Sequence, residues 1–136
     1  MRDPADLAVI HASAFDTPWD AAAIGALLDM PGAELETEPD GFLLWRRAAD
    51  EAEIVTLAVR PEARRRGLGG QLLDRTVTRA RAQDVARLFL EVAHDNDAAL
   101  ALYASRGFEQ AGRRPAYYAR PGRAAADALI LALNLS

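Results

Sequence analysis

Val59-Arg60-Pro61-Glu62-Ala63-Arg64-Arg65-Arg66-Gly67-Leu68-Gly69-Gly70-Gln71-Leu72-Leu73 is the stretch on which the reading of this chain turns. It follows an apolar run, Ile54-Val55-Thr56-Leu57-Ala58, and it leads into a helical pattern. A strand, a tight glycine turn and a helix start together form an anion site. The first turn of a helix has free backbone N–H groups and the positive end of the helix dipole. Glycine lets backbone approach an anion with no Cβ in the way. The arginines add charge and fork-shaped donors. The stretch therefore reads as a pyrophosphate cradle, with a plain solvated arginine-rich helix start as the competing reading. The Gly-x-Gly-x-x-Gly fingerprint, the acidic ribose clamp and the P-loop lysine are all missing, so neither a dinucleotide nor a nucleoside triphosphate fits.

Outward from this turn, the strand before it is expected over 53–59 and the helix after it over 68–83, with Leu72, Leu73 and Val77 inward and Arg75, Arg79 and Arg81 solvated. Leu88 to Ala93 reads as a buried strand. Asp95-Asn96-Asp97 then caps a helix over 98–105 whose inner face carries Leu100, Leu102 and Tyr103, with Gly107 as its terminator. Strands over 113–119 and 126–133 follow, joined through Pro121-Gly122. Upstream, helices are expected over 4–15 and 21–30, the second capped by Asp20. Strands over 33–38 and 42–47 follow, with Pro39-Asp40-Gly41 as their turn. The two strands flanking the 68–83 helix make a βαβ unit and should be parallel. The expected fold class is α/β: a mixed central sheet with helices on both faces, in one domain over residues 1–136.

Composition narrows the chemistry. The chain has 136 residues, 51% of them hydrophobic, and a formal net charge of −4. That charge argues against non-specific nucleic-acid binding. All 16 basic residues are arginine, which excludes lysine Schiff-base chemistry. With no cysteine there is no thiol nucleophile and no cysteine metal site, and the two histidines, His11 and His94, are too separated to make a metal site by themselves. Both read as structural or surface residues. No 18-residue apolar run or signal peptide is evident, so no membrane partner and a cytoplasmic location are expected.

Several motifs together resemble one family. Leu57-Ala58-Val59-Arg60-Pro61 followed by Arg64-Arg65-Arg66-Gly67-Leu68-Gly69 resembles the acetyl-CoA-binding motif of the GNAT N-acetyltransferases. The likeness continues through Leu90-Glu91-Val92, Asp95-Asn96-Asp97-Ala98-Ala99 and Leu102-Tyr103-Ala104-Ser105-Arg106-Gly107-Phe108, and ends with Arg114-Pro115-Ala116-Tyr117-Tyr118 and Asp127-Ala128. Within that superfamily the set is similar to the ribosomal-protein-alanine N-acetyltransferases, the RimI family, as is Ile10-His11-Ala12-Ser13-Ala14-Phe15 with Pro18-Trp19.

The resemblance implies a GNAT fold, acetyl-CoA as donor and no metal. Leu57, Ala58 and Val59 would meet the pantetheine arm and acetyl group through backbone hydrogen bonds along a disturbed strand. Arg65, Arg66, Gly67, Leu68, Gly69 and Gly70 would wrap the pyrophosphate. Asn96 would bond the pantetheine arm, or simply cap its helix. Glu91 would be the general base; without the resemblance, a lone glutamate in an apolar strand equally suits a solvated edge or an ion pair. Tyr103 would be the general acid, or a packed core residue with its hydroxyl at the rim. Phe15, Trp19, Tyr117 and Tyr118 are candidates for an acceptor groove or for the core. Asp127 would help an acceptor ammonium or pair with an arginine.

The implied activity is acetylation of a protein N-terminal α-amine, by resemblance an alanine-starting ribosomal protein. A small-molecule amine or lysine acceptor, and a non-catalytic acyl-CoA sensor, are the rival readings. The chain departs from the family pattern at Ala93-His94, at Ala126, and in reaching its first helix almost at once, where the family has an opening strand.

Overall fold

A computed structural model describes residues 3–15 and 17–136. Two helices come first, α1 (Pro4–Ala14) and α2 (Ala21–Leu28). Asp3 caps α1 by accepting from Ala5 N–H, and Asp20 caps α2 by accepting from Ala23 N–H, each at 2.8 Å. Then come β1 (Ala33–Glu38), β2 (Gly41–Ala48), β3 (Glu51–Val59), α3 (Leu68–Ala82), β4 (Arg87–Ala93), α4 (Asp97–Ser105), β5 (Glu109–Tyr118) and β6 (Ala126–Asn134). The sheet order is β1-β2-β3-β4-β6-β5. Only the β3–β4 pair is parallel, as the α3 crossover requires.

Two apolar clusters lie on opposite faces of this sheet. One joins α3 and α4 to Leu43, Trp45, Ile54, Leu88, Leu90, Val92, Leu129 and Leu131. The other joins α1 and α2 to Phe42, Leu44 and Ala58. Helices on both faces of a mixed sheet are thus the architecture, as expected.

Differences from the sequence expectations have local causes. The second helix stops at Leu28, because Met30 bonds back to Leu27 O and Gly32 enters a positive-φ turn (φ 81°). Strand β5 begins at Glu109, four residues before the expected start. It lies at the sheet edge, where polar residues such as Glu109 and Gln110 need no buried face. Arg75 and Arg79 are not merely solvated. Arg75 pairs with Glu38 at 3.1 Å, and Arg79 bridges Glu34 at 3.0 Å and buried Glu36 at 3.3 Å. Glu36 also accepts from the Trp45 indole N–H at 3.1 Å, so the carboxylate is satisfied on burial. These bonds fasten α3 to the β1 edge.

Candidate functional site

Strand β3 decides where a site can form. Its parallel pairing with β4 spans only Glu51–Glu53 against Arg87–Phe89. Beyond that the two strands are no longer paired. A register shift against β2, between Leu44 and Trp45, leaves Val55 unmatched as a bulge. The bulge changes the facing of β3. Before it, the even residues Ala52 and Ile54 join the α3/α4 cluster; after it, the odd residues Leu57 and Val59 do, while Val55 and Ala58 join the α1/α2 cluster. The disturbed strand expected at Leu57 to Val59 is therefore disturbed two residues earlier, and Leu57, Ala58 and Val59 all lie on the half of β3 that pairs with β2 but not with β4.

The glycine turn follows. Pro61–Ala63 form one 3-10 turn, and Arg64 reaches back to donate from Nε to Val59 O at 3.3 Å. Arg65 adopts φ 67° and Gly67 φ 76°, the left-handed region that costs any residue with a Cβ. Gly67 is the N-cap of α3 and has no side chain with which to close the helix end. The first bond onto it comes from Gln71 N–H, at 3.0 Å. The amides of Leu68, Gly69 and Gly70 make no hydrogen bond within the described residues. The Arg65 and Arg66 side chains are exposed and likewise have no partner there. Three free amides, two free guanidinium groups and a helix N-terminus suit a phosphate anion. The Arg106 guanidinium, paired with Asp74 at 3.1 Å, lies against Gly70, where a Cβ would make that side chain move aside.

Glu91 and Tyr103 lie on opposite faces of the sheet. On β4, Leu90 and Val92 are buried under α3 and α4, so Glu91 points to the other face. There it lines a groove of about 420 Å³ with Leu27, Met30, Glu51, Glu53 and Arg114. The α1/α2 layer covers β1 to β3 only, which leaves this side of β4 open. Arg114 Nη2 stands 3.3 Å from Glu91 Oε1. Tyr118 is close enough that, after burial, the Glu91 charge is the next cause raising its phenol pKa. Tyr103 lies in α4 on the covered face and packs edge-on against Phe108, with ring centroids 5.6 Å apart. Burial pushes its phenol pKa up to about 12. Its hydroxyl has no hydrogen-bond partner among the described residues, yet it is not sealed from solvent. Asn96 caps α4, its Oδ1 accepting from Ala99 N–H at 3.2 Å.

The remaining candidates have structural partners. Asp127 accepts from Ala116 N–H at 2.8 Å and from Arg113 Nε at 2.6 Å, and both hold its carboxyl below the usual range, the amide most. Asp127 N–H donates to His94 Nδ1 at 2.9 Å. Asp127 thus ties β4, β5 and β6 together beside Glu91. It also fixes the irregular turn at Ala116 (φ 51°), which lies between Arg114 and Tyr118. His11 is a buried structural residue stacked between Phe15 (4.2 Å) and Trp19 (4.8 Å). Trp19 N–H donates to its Nδ1 at 3.2 Å, so the neutral ring carries its proton on Nε2, 3.4 Å from Thr56 Oγ1. Sequence reasoning passed over this stack, because Phe15 is already extended and Trp19 lies beyond the end of α1, so no helical spacing announces their contact with His11. It also passed over Glu51 and Glu53, whose alternation places them on the groove face, and over Arg114 as a neighbour of Glu91.

A mixed sheet with parted strands, an amide-lined helix start, and a carboxylate and a phenol on its two faces suits an acyltransferase-type scaffold. The chain belongs to the acetyltransferase (GNAT) family, which it matches over residues 8–108. It is 42% identical over 96 residues to the [ribosomal protein bS18]-alanine N-acetyltransferase of Escherichia coli K12; that match covers 70% of this chain and 64% of the relative, so the chain matches just under two thirds of that relative's length. The crystal structure of the ribosomal-protein-S18-alanine N-acetyltransferase from Escherichia coli superposes with a TM-score of 0.87 at 31% identity, over 95% of this chain and 85% of that one. The NatC complex bound to Gag peptide and CoA shares the fold, with a TM-score of 0.81 at 20% identity over 98% and 91% of the two chains.

Proposed function

We propose that this protein is an acetyl-CoA-dependent N-acetyltransferase that acts on the α-amine of a protein N-terminus, with an alanine-starting ribosomal protein as the particular acceptor. The observation that carries this reading is the parting of β3 and β4 after Glu53 and Phe89, with Glu91 on one face and Tyr103 on the other. Donor and acceptor can then approach from opposite faces and meet in the gap.

The residues of the turn suit the donor. The free amides of Leu68, Gly69 and Gly70 and the side chains of Arg65 and Arg66 would hold the pyrophosphate, with Gly67 shaping the turn. Backbone groups of Leu57, Ala58 and Val59 would run along the pantetheine arm. Asn96 would add its amide Nδ2, since its Oδ1 is taken by the cap. When bound, acetyl-CoA supplies an acetyl group activated as a thioester.

Glu91 accepts a proton from the acceptor amine, directly or through water, and the amine nitrogen bonds to the acetyl carbon. An α-amine with an unperturbed pKa near ~8 is mostly ammonium at neutral pH, so this proton must be taken. A backbone N–H of the unpaired strand stabilises the charge on the thioester oxygen. As the carbon–sulfur bond breaks, Tyr103 gives its phenolic proton to the leaving sulfur, and the second proton that the nitrogen sheds as the amide forms returns to the phenolate. Burial raises its pKa to about 12, so the phenol is protonated at neutral pH; the same shift makes it a weaker acid than a thiol, so its proton must move together with loss of the second amine proton. The chain has no cysteine or lysine to form an acyl-enzyme, which supports direct transfer. Three carboxylates of the groove, Glu51, Glu53 and Glu91, suit an ammonium-bearing acceptor. The names of the relatives support the ribosomal acceptor.

The test is CoA release from acetyl-CoA against N-terminal peptides, lysine peptides and polyamines. We expect peptides with a free alanine N-terminus to be preferred. Glu91→Gln should lower kcat at least ~10²-fold, the lower end of general-base contributions, with acetyl-CoA affinity unchanged. Unaltered turnover would remove Glu91 as base. Acetyl-CoA binding with no turnover on any amine would make the protein a sensor.

A further inference from the structure

Glu91 already has a cation in front of it. Arg114 Nη2 lies 3.3 Å from Glu91 Oε1, and both side chains line the same groove. Arg114 stands on the edge strand β5, and Asp127 sets the turn just after it by holding Ala116 N–H and Arg113. In this same position its guanidinium carbon sits 5.3 Å from the centre of the Tyr117 ring, so the ring already shares the cation and would still hold it when the carboxylate is given up. Guanidinium is charged at every working pH, so this occupant never leaves by deprotonation.

A base that must receive an ammonium proton needs that ammonium within hydrogen-bonding reach. The position it would take is the one Arg114 fills. From this juxtaposition we infer that Arg114 is an internal mimic of the acceptor ammonium, a plug that the incoming N-terminus displaces from Glu91 and that retreats toward Tyr117. The inference rests on Glu91 as the acceptor-side base. Arg114 is thereby a specificity-determining residue. Only a group bearing its own positive charge replaces the plug without leaving the carboxylate unpaired, so uncharged ligands of the groove gain nothing from displacing it. The pair is partly exposed, 53% at Arg114 and 30% at Glu91, so the plug is weak and readily exchanged. An exposed pair of this kind corresponds to roughly 1.4- to 5-fold in an equilibrium constant.

The experiment uses an alanine-starting hexapeptide and its N-formyl counterpart, titrated calorimetrically into the CoA-saturated protein, alongside steady-state acetylation of the free peptide. Arg114→Gln should tighten binding of the free peptide ~3-fold and lower its KM equally, with kcat within 2-fold of wild type. The N-formyl peptide, which carries no charge at its N-terminus, should bind both proteins alike. In the Glu91→Gln background the Arg114→Gln gain should vanish, because no carboxylate remains to compete for. Arg114→Lys keeps a cation without the planar fork and should lie between the two, and it serves if the glutamine variant folds poorly. Weaker or unchanged binding of the free peptide would overturn the plug, and an equal gain for the N-formyl peptide would reduce it to steric hindrance. If Glu91→Gln turned over normally, the base assignment would fail while the binding data still reported on Arg114.

Discussion

Replacing Tyr103 with phenylalanine separates chemistry from architecture. The substitution removes one oxygen and keeps the ring. The edge-on contact with Phe108 survives, and contacts of this kind contribute about 0.5–1.5 kcal/mol beyond simple burial. The hydroxyl has no protein partner among the described residues, so no internal hydrogen bond is broken and no donor or acceptor is orphaned. The stability change should therefore stay within ~0.5 kcal/mol. For a domain of this size that is about 2 °C or less in Tm.

The rate should respond quite differently. Loss of a positioned proton donor costs roughly 10²- to 10⁴-fold, and 10²-fold is about 2.7 kcal/mol of barrier. Burial holds the phenol near 12, so it stays protonated across the range in which the protein can be assayed. The loss should accordingly be the same at pH 6.5 and pH 9. Single-turnover mixing of the acetyl-CoA complex with peptide is the right assay, because slow product release could mask a change in the chemical step. A Tyr103→Phe protein that melts with wild-type and transfers acetyl within 2-fold of wild-type would refute the acid assignment. A variant that loses several degrees of Tm would refute the claim that the hydroxyl is structurally free.

Two further expectations concern regions away from the acid. Burial lowers the His11 pKa, so the unfolded chain takes up a proton before the folded one does. The contribution of neutral His11 is therefore complete above the unfolded value of about 6.5 and is lost as pH falls from there toward the lowered folded value; urea midpoints should drop more between pH 7.5 and 5.5 for wild type than for His11→Asn, and equal drops would contradict the buried stack. Arg65 holds φ 67°, so Arg65→Gly relieves a strained backbone while removing a free cation: Tm should hold or rise while the acetyl-CoA Kd increases several-fold, and an unchanged Kd would detach Arg65 from the cradle.

Much of this fold was legible because its signals are local. Asp20 precedes its helix as a side-chain cap, the run Asp95-Asn96-Asp97 announces a cap for α4 without saying that Asn96 is the one, the glycines of 67–70 mark a turn into a helix, and the alternation in Leu90-Glu91-Val92 separates the two faces of β4. The illegible parts depend on residues far apart in the chain. Arg79 and Glu36 are 43 positions apart, and nothing near either one announces the other. Arg114 reaches Glu91 only because β6 lies between their strands in the sheet. The first four residues of β5 carry no strand signal, because an edge strand lacks the apolar alternation by which strands are recognised.

The bulge at Val55 links these scales. A nine-residue strand with regular alternation would keep Ala52, Ile54, Thr56 and Ala58 on one face throughout. One unmatched residue reverses this, so Thr56 reaches the buried His11 on the α1 side while Leu57 and Val59 turn toward α3. The bulged strand bends, and its pairing with β4 stops after Glu53 and Phe89. Beyond that point the facing edges of both strands carry backbone donors and acceptors not used between them. Unpaired backbone groups in a partly buried gap are unfavourable unless water or a ligand satisfies them. An extended, amide-bearing arm laid along the gap would satisfy them as a missing strand would. The helix start at Gly67 to Gly70 lies at the open end of that gap, where such an arm would carry its phosphates. The bulge, and not the arginine-rich turn, would then be what makes the proposed site: the turn could hold an anion anywhere, but only the parted strands would lead that anion's far end in between the faces that carry Glu91 and Tyr103.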